Sequence, residues 1–225
     1  MDRETAYVSS IPEEAREKIT QKHGNGARKR AEYFLGKELV GFREFYRDNT
    51  PEGEYSFRNG VPHGWEYRWS TPGELTSAES RENGVVHGTA YQWGRDGRLI
   101  GSYTIDHGTG IDLWREELED GRVNLSEAYQ YVDGRRHGFE WHFMNGDLSD
   151  EKHWMQGILH GIERSWNSKG GLSRGYPRYW INDERVTKAK YVRAALKDDQ
   201  LPPFRLEDNQ CLREFPAEVA QHIRV

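Results

Sequence analysis

The 225-residue chain carries 32 Lys and Arg against 37 Asp and Glu, a formal net charge of -5, and Leu, Ile, Val and Phe make up only about 19% of it, at the lower edge for an aliphatic core. The mean hydropathy of -0.99 points the same way, yet 8 Trp and 12 Tyr exclude a disordered chain, which would be poor in aromatic residues. No run approaches the ~20 apolar residues of a membrane-spanning helix, the single Cys211 excludes an intrachain disulfide framework, and a pI of 6.0 disfavours an electrostatic nucleic-acid footprint.

In chain order, residues 1–10 lack the apolar run of a signal peptide, so a cytoplasmic location is expected. Residues 11–23 read as a short helix with Ser10 as N-cap and Pro12 in its first turn. Gly24 to Lys29 reads as a flexible basic link. Residues 1–32 are therefore expected to form an N-terminal helical cap.

From residue 33 to 186 the chain repeats. Gly-x-x-His-Gly recurs at Gly60–His63–Gly64, Gly84–His87–Gly88, Gly134–His137–Gly138 and Gly157–His160–Gly161. Residues 106–110 read as a contracted copy, and Gly36–Gly41 and Asn182–Val186 as degenerate first and last copies. The anchors 36, 60, 84, 108, 134, 157 and 183 are 24, 24, 24, 26, 23 and 26 residues apart, a register that identifies a repeat architecture. After each His-Gly, residues alternate with period two: Trp65, Tyr67 and Trp69 against Glu66 and Arg68, or Phe139, Trp141 and Phe143 against Glu140 and His142. Tyr91, Trp93 and Trp166 fall at matching offsets. Pro72–Gly73, Asp96–Gly97, Asp120–Gly121, Asn145–Gly146 and Gly170–Gly171 supply the turns, and a second alternating strand returns to the next anchor. One β-hairpin per repeat predicts a mainly β fold: an elongated, single-layer antiparallel β-meander, aromatic on one face and polar on the other, with short helical caps at both ends.

Residues 187–225 leave the repeat. Residues 187–198 read as a helix capped by Thr187 and stopped by Leu201–Pro202–Pro203, followed by a polar tail with a turn at 216–223.

This pattern of aromatic residues, Asn-Gly turn and His-Gly over residues 33–186 resembles the MORN-type repeats, and most closely the variant repeats of bacterial antitoxin components of toxin–antitoxin systems; Asn59–Gly64, Asn83–Gly88 and Asp133–Gly138 are the best copies. The resemblance implies a non-enzymatic interaction protein, most specifically a binder that neutralises a toxin or effector. It equally covers membrane- or scaffold-associated proteins, for which Lys29, Arg30, Arg185, Lys188, Lys190 and Arg193 are the only modest basic candidates for acidic lipid.

No phosphate loop or nucleophile elbow is present, and neither a catalytic residue nor a cofactor is assigned. An enzymatic reading requires a cleft at the C-terminal cap holding a perturbed acid or base. Histidines at equivalent positions lie two strands, about 9–10 Å, apart, too far to share one ion, so the row is read as structural, like the repeat glycines, and no metal is expected. The aromatic stripe Trp65, Tyr67, Trp69, Tyr91, Trp93, Trp141, Phe143 and Trp166 is the candidate partner-binding surface, because a single sheet does not cover its own face. Its alternative is that these rings form the protein's own thin core.

Overall fold

The computed structural model describes residues 2–71, 73–211 and 213–223, so Pro72 of the expected Pro72–Gly73 turn lies outside the described residues. The protein is mainly β, an antiparallel meander with short helices at its ends, and divides into two compact units, one ending at Gly108 and the other beginning at Thr109.

The first unit opens with helix α1 (Arg3–Ala6) and continues as β1 (Arg16–Lys22), β2 (Arg28–Leu35), β3 (Glu38–Phe45), β4 (Pro51–Arg58), β5 (Val61–Pro62), β6 (Gly64–Ser70), β7 (Glu74–Glu82), β8 (Val85–Val86), β9 (Gly88–Trp93) and β10 (Leu99–Asp106). Each strand pairs with the next long one; β5 and β6 both pair with β4, as β8 and β9 do with β7. The second unit holds β11 (Thr109–Glu117), β12 (Val123–Val132), β13 (Arg135–Met144), β14 (Asp147–Met155), β15 (Ile158–Leu159), β16 (Gly161–Ser165), β17 (Arg178–Ile181) and β18 (Glu184–Val186). These pair in the same succession, with β15 and β16 both on β14. Helix α2 (Lys188–Ala195) follows, then a single 3-10 turn (Glu207–Asn209) and α3 (Ala217–Ala220).

The expected helix over 11–23 is overturned. Residues 16–22 are a strand, paired with β2 from Arg16↔Phe34 to Lys22↔Arg28 and exposed throughout. Ile11, Ala15 and Ile19 have helical spacing, but they are too few to anchor a helix. Pairing satisfies the same backbone groups, while Ile11 enters the core among Ala31, Tyr33, Val40 and Phe45, and Ala15 packs against that cluster. The segment read as a basic link is the hairpin turn, closed by His23 N donating to Ala27 O at 2.8 Å. Hairpins thus begin at Arg16 rather than residue 33, and the N-terminal cap shrinks to α1 and the extended segment after it.

The C-terminal helix stands as expected: the Thr187 hydroxyl accepts from Lys190 N. Its buried Tyr191 packs with Ile162, Tyr179 and Leu201, and its hydroxyl donates to Pro202 O at 2.6 Å.

The 106–110 segment is not contracted. Gly108 N donates to Val86 O at 2.7 Å, as Gly84 N does to Pro62 O at 2.8 Å, so Gly108 is the full equivalent of Gly84. The repeat keeps its length and lacks only the His-Gly pair, which is Ile111–Asp112 here; β11 runs through this point unbroken.

Candidate functional site

The repeat histidines are stitches between successive turns. His63 Nδ1 accepts from Asn83 N at 3.4 Å, His87 Nδ1 from His107 N at 3.1 Å and His160 Nδ1 from Asn182 N at 3.2 Å. Glu38 and Thr109 play the part for Asn59 N and Asp133 N. His137 departs from the row: its Nδ1 is buried without a hydrogen-bond partner among the described residues. Four residues before each anchor glycine, Ser56 and Ser80 donate to the carbonyls of His63 and His87, and His153 Nδ1 donates to His160 O. The glycine after the histidine must therefore be small: at Gly64, with φ of +97, an added Cβ would lie 2.7 Å from Ser56 Oγ and 2.9 Å from Ser10 Cβ.

The aromatic stripe is corrected as a free surface. Tyr67, Trp93, Trp141, Phe143 and Trp166 are buried, and Trp65, Trp69 and Tyr91 are half-buried. Neither end helix alone does the covering; extended segments at the termini do, which sequence reasoning missed because they have no periodicity. In the first unit residues 6–11 lie on the stripe. Ala6 packs with Tyr67, Leu75, Ala78 and Trp93, the Tyr7 ring sits 4.9 Å from Tyr67 and 5.2 Å from Trp69, and Tyr67 Oη donates to Val8 O at 2.9 Å. In the second unit the tail does the same work: Phe215 lies edge-on to Trp141 at 5.4 Å, and Trp166 Nε1 donates to Asn209 O at 2.8 Å.

Each strap is locked by a buried carboxylate. Six residues before the anchor glycine, Ala78 and Ala128 fill a fully buried position; the equivalents are Glu54 and Glu151. Glu54 accepts from Tyr7 Oη at 2.7 Å, Ser9 Oγ at 2.8 Å and Arg43 Nε at 2.7 Å. Burial and the bond to Glu54 push the Tyr7 hydroxyl up to about 12. Glu151 accepts from Trp141 Nε1 at 3.0 Å, from Arg164 Nη1 at 2.7 Å and from Arg213 of the tail. The signal was legible: glutamates stand at Glu54 and Glu151 in a column that is alanine at Ala78 and Ala128.

At the C-terminal cap, His160 is buried beside Asp198. With Nδ1 accepting from the backbone, the proton lies on Nε2, which donates to Asp198 Oδ2 at 3.2 Å. One ring nitrogen thus ties His160 to the β17–β18 turn at Asn182 and the other to the segment after α2 at Asp198.

The opposite face of the first unit carries half-exposed aromatic rings. Phe42 stacks on Tyr55 at 4.4 Å and 21°, and lies 5.9 Å from Phe57; all three are half-buried. Arg30 caps Phe42 at 3.7 Å, and Arg68 approaches Tyr55 at 5.7 Å. Beyond them runs a charge ladder: Arg81 Nε to Glu66 at 2.9 Å and Arg81 Nη2 to Glu79 at 2.9 Å. A concavity of about 290 Å³ opens beside the rings, lined by Phe42, Tyr55, Phe57, Pro62, Glu66 and Arg81 among others. An aromatic floor with guanidinium rims is suited to receiving an anchor side chain of a protein.

No protein-family model matches this chain, and no curated protein matches it.

Proposed function

We propose that the chain is a non-enzymatic protein-binding repeat protein, and that its partner docks on the Phe42–Tyr55–Phe57 face. The observation that carries this reading is that face itself: three rings held half-exposed on paired strands, bordered by arginines, beside a concavity sized for one or two side chains. Rings already stacked lose little freedom on binding, and Tyr and Arg are the residue types that dominate interface energetics. The resemblance of the repeats to those of bacterial antitoxin components supports the most specific version, in which the chain occludes a toxin or effector and catalyses nothing. The lipid- or scaffold-binding alternative is less well supported, because three of its six basic side chains are engaged: Arg30 over Phe42, Lys190 with Glu184 at 3.0 Å and Lys188 over the Phe204 ring at 3.6 Å.

The test is calorimetric titration of the full chain with the purified product of the gene adjacent to its own, beside the Phe42→Ala/Tyr55→Ala variant. Binding that weakens at least tenfold in the variant, with unchanged thermal unfolding, is the expected result. Equal affinity overturns the face, and no binding overturns the antitoxin version. Sedimentation with phosphatidylserine vesicles that is abolished by neutralising Lys29 and Arg30 would overturn the reading in favour of lipid.

A further inference from the structure

Beyond the docking face, one cluster departs from the repeat. We propose that Glu82, His87 and His107 bind a single divalent transition-metal ion of the zinc class, with Asp106 holding the imidazoles from behind. Equivalent histidines of successive repeats stand two strands apart. The pair forms instead between a repeat histidine, His87, and a turn residue of the following repeat, His107. That turn position carries Asn59, Asn83, Asp133, Gln156 and Asn182 elsewhere, all near φ of +50, with His107 at +45. The position just before it is acidic only at Glu82 and Asp106, in the two consecutive repeats that bring the histidines together; elsewhere it is Arg58, Val132, Met155 or Ile181.

The geometry converges on one point. His87 Nε2 lies 3.6 Å and His107 Nε2 3.7 Å from the same Glu82 Oε2, and one ligand atom from each of the three residues lies within 4.8 Å of the others. Two donors bonded to a tetrahedral ion at ~2.0–2.1 Å are about 3.4 Å apart, so the two Nε2–Oε2 separations need to close by only a few tenths of an ångström, in accessible side chains. The rings face each other at 3.9 Å with a tilt of 31°. Two imidazoles and a carboxylate leave the fourth position open to water or to a partner's side chain.

Asp106 Oδ1 accepts from His107 Nδ1 at 2.7 Å, which leaves the Nε2 lone pair aimed at Glu82. In the ion-free protein His87 Nδ1 accepts from His107 N, so its proton sits on Nε2. Coordination moves that proton to Nδ1, where Asp106 Oδ1 at 3.5 Å becomes its acceptor in place of the backbone N–H donor. The tautomer changes and no net proton is released.

The test is titration of the chelator-stripped full chain with Co²⁺ and with Zn²⁺, followed by calorimetry, cobalt absorption and histidine ring NMR. His107→Asn is the key variant, because it installs the residue that other turns carry and so preserves the fold; Glu82→Gln is the second, and His222→Asn the control. One equivalent should bind, shifting the His87 and His107 rings first and resisting competition by Mg²⁺ and Ca²⁺, which prefer all-oxygen ligands. Both His107→Asn and Glu82→Gln should weaken binding at least tenfold without altering ion-free thermal unfolding, and the control should bind normally. No saturable binding by the wild type, or undiminished affinity in His107→Asn, would overturn the site.

Discussion

At the scale of single residues, the polar side chains inside this protein are committed ones, and Glu140 shows what that does to stability. It is almost fully buried on β13, where His142 Nε2 lies at 2.8 Å, Lys152 Nζ at 3.1 Å and Arg136 Nη1 at 2.7 Å. Burial disfavours its charged form, but the bonds from His142 and Lys152 and the charges of Lys152 and Arg136 outweigh it and bring the carboxyl down to about 2. A carboxyl whose folded value lies below its unfolded one stabilises the native state above the unfolded value, near 4.5, and loses that contribution as the pH falls towards 2. Glu140→Gln should therefore flatten the acid limb of the stability profile between about pH 4.5 and 2, at a cost of about 2 kcal/mol at pH 7. Urea titrations of both proteins across that range check it; parallel acid limbs would show that Glu140 is not linked to folding. Cys211, by contrast, is a lone half-buried thiol beside Gly170 and carries no such argument.

At the scale of elements, strand and turn were legible because they are periodic, and the straps were not because they are not. Alternation at Trp65–Trp69 and Phe139–Phe143 and the turn glycines give hairpins directly, and Thr187 with Pro202 brackets α2. Residues 11–23 misled because the start signals at Ser10 and Pro12 outweigh, on paper, a pairing partner that only tertiary structure reveals. In sequence the N-terminal strap reads as part of a helical cap and the C-terminal one as a polar tail, yet their anchor was visible at Glu54 and Glu151. Glu54→Ala tests that anchor cleanly: Ala78 and Ala128 show that alanine fits the position, so the loss is electrostatic rather than steric. It removes the acceptor of Tyr7 and Ser9 and leaves Arg43 without its 2.7 Å partner. The expected cost is about 2–3 kcal/mol, at the low end for breaking a buried pair because Arg43 keeps access to water. Hydrogen exchange should quicken in β4 and β6, and limited proteolysis should cut within residues 2–11. Pairing the change with Arg43→Met should recover part of the stability, since the orphaned charge goes with it. A double variant no more stable than the single would place the loss in the strap contacts alone.

At the scale of the whole chain, the low aliphatic content becomes intelligible. Aromatic rings and alanines fill much of the core, and that core is local: Tyr67, Leu75, Ala78 and Trp93 under Ala6 form one cluster, Ala31, Tyr33, Val40 and Phe45 around Ile11 another, and Ile162, Tyr179, Tyr191 and Leu201 a third. The repeat register disclosed the hairpins, but no composition shift marked the division between Gly108 and Thr109, because the repeat pattern runs through it. An architecture in which each hairpin packs on its neighbours, with a strap of its own in each unit, distributes stability locally. Tyr67 and Tyr191 are both fully buried, one in each unit. Tyr67→Ala should cost about 3 kcal/mol or more and raise exchange across β4 to β9, while β13 to β16 stay protected. Tyr191→Ala should do the reverse, loosening α2, β16 and β17 and sparing β3 to β7. Native-state hydrogen exchange resolved by peptide distinguishes this from a single cooperative core, in which either substitution would lower protection everywhere by the same amount. Local loosening is what a nearest-neighbour array requires, since the two tyrosines belong to separate clusters.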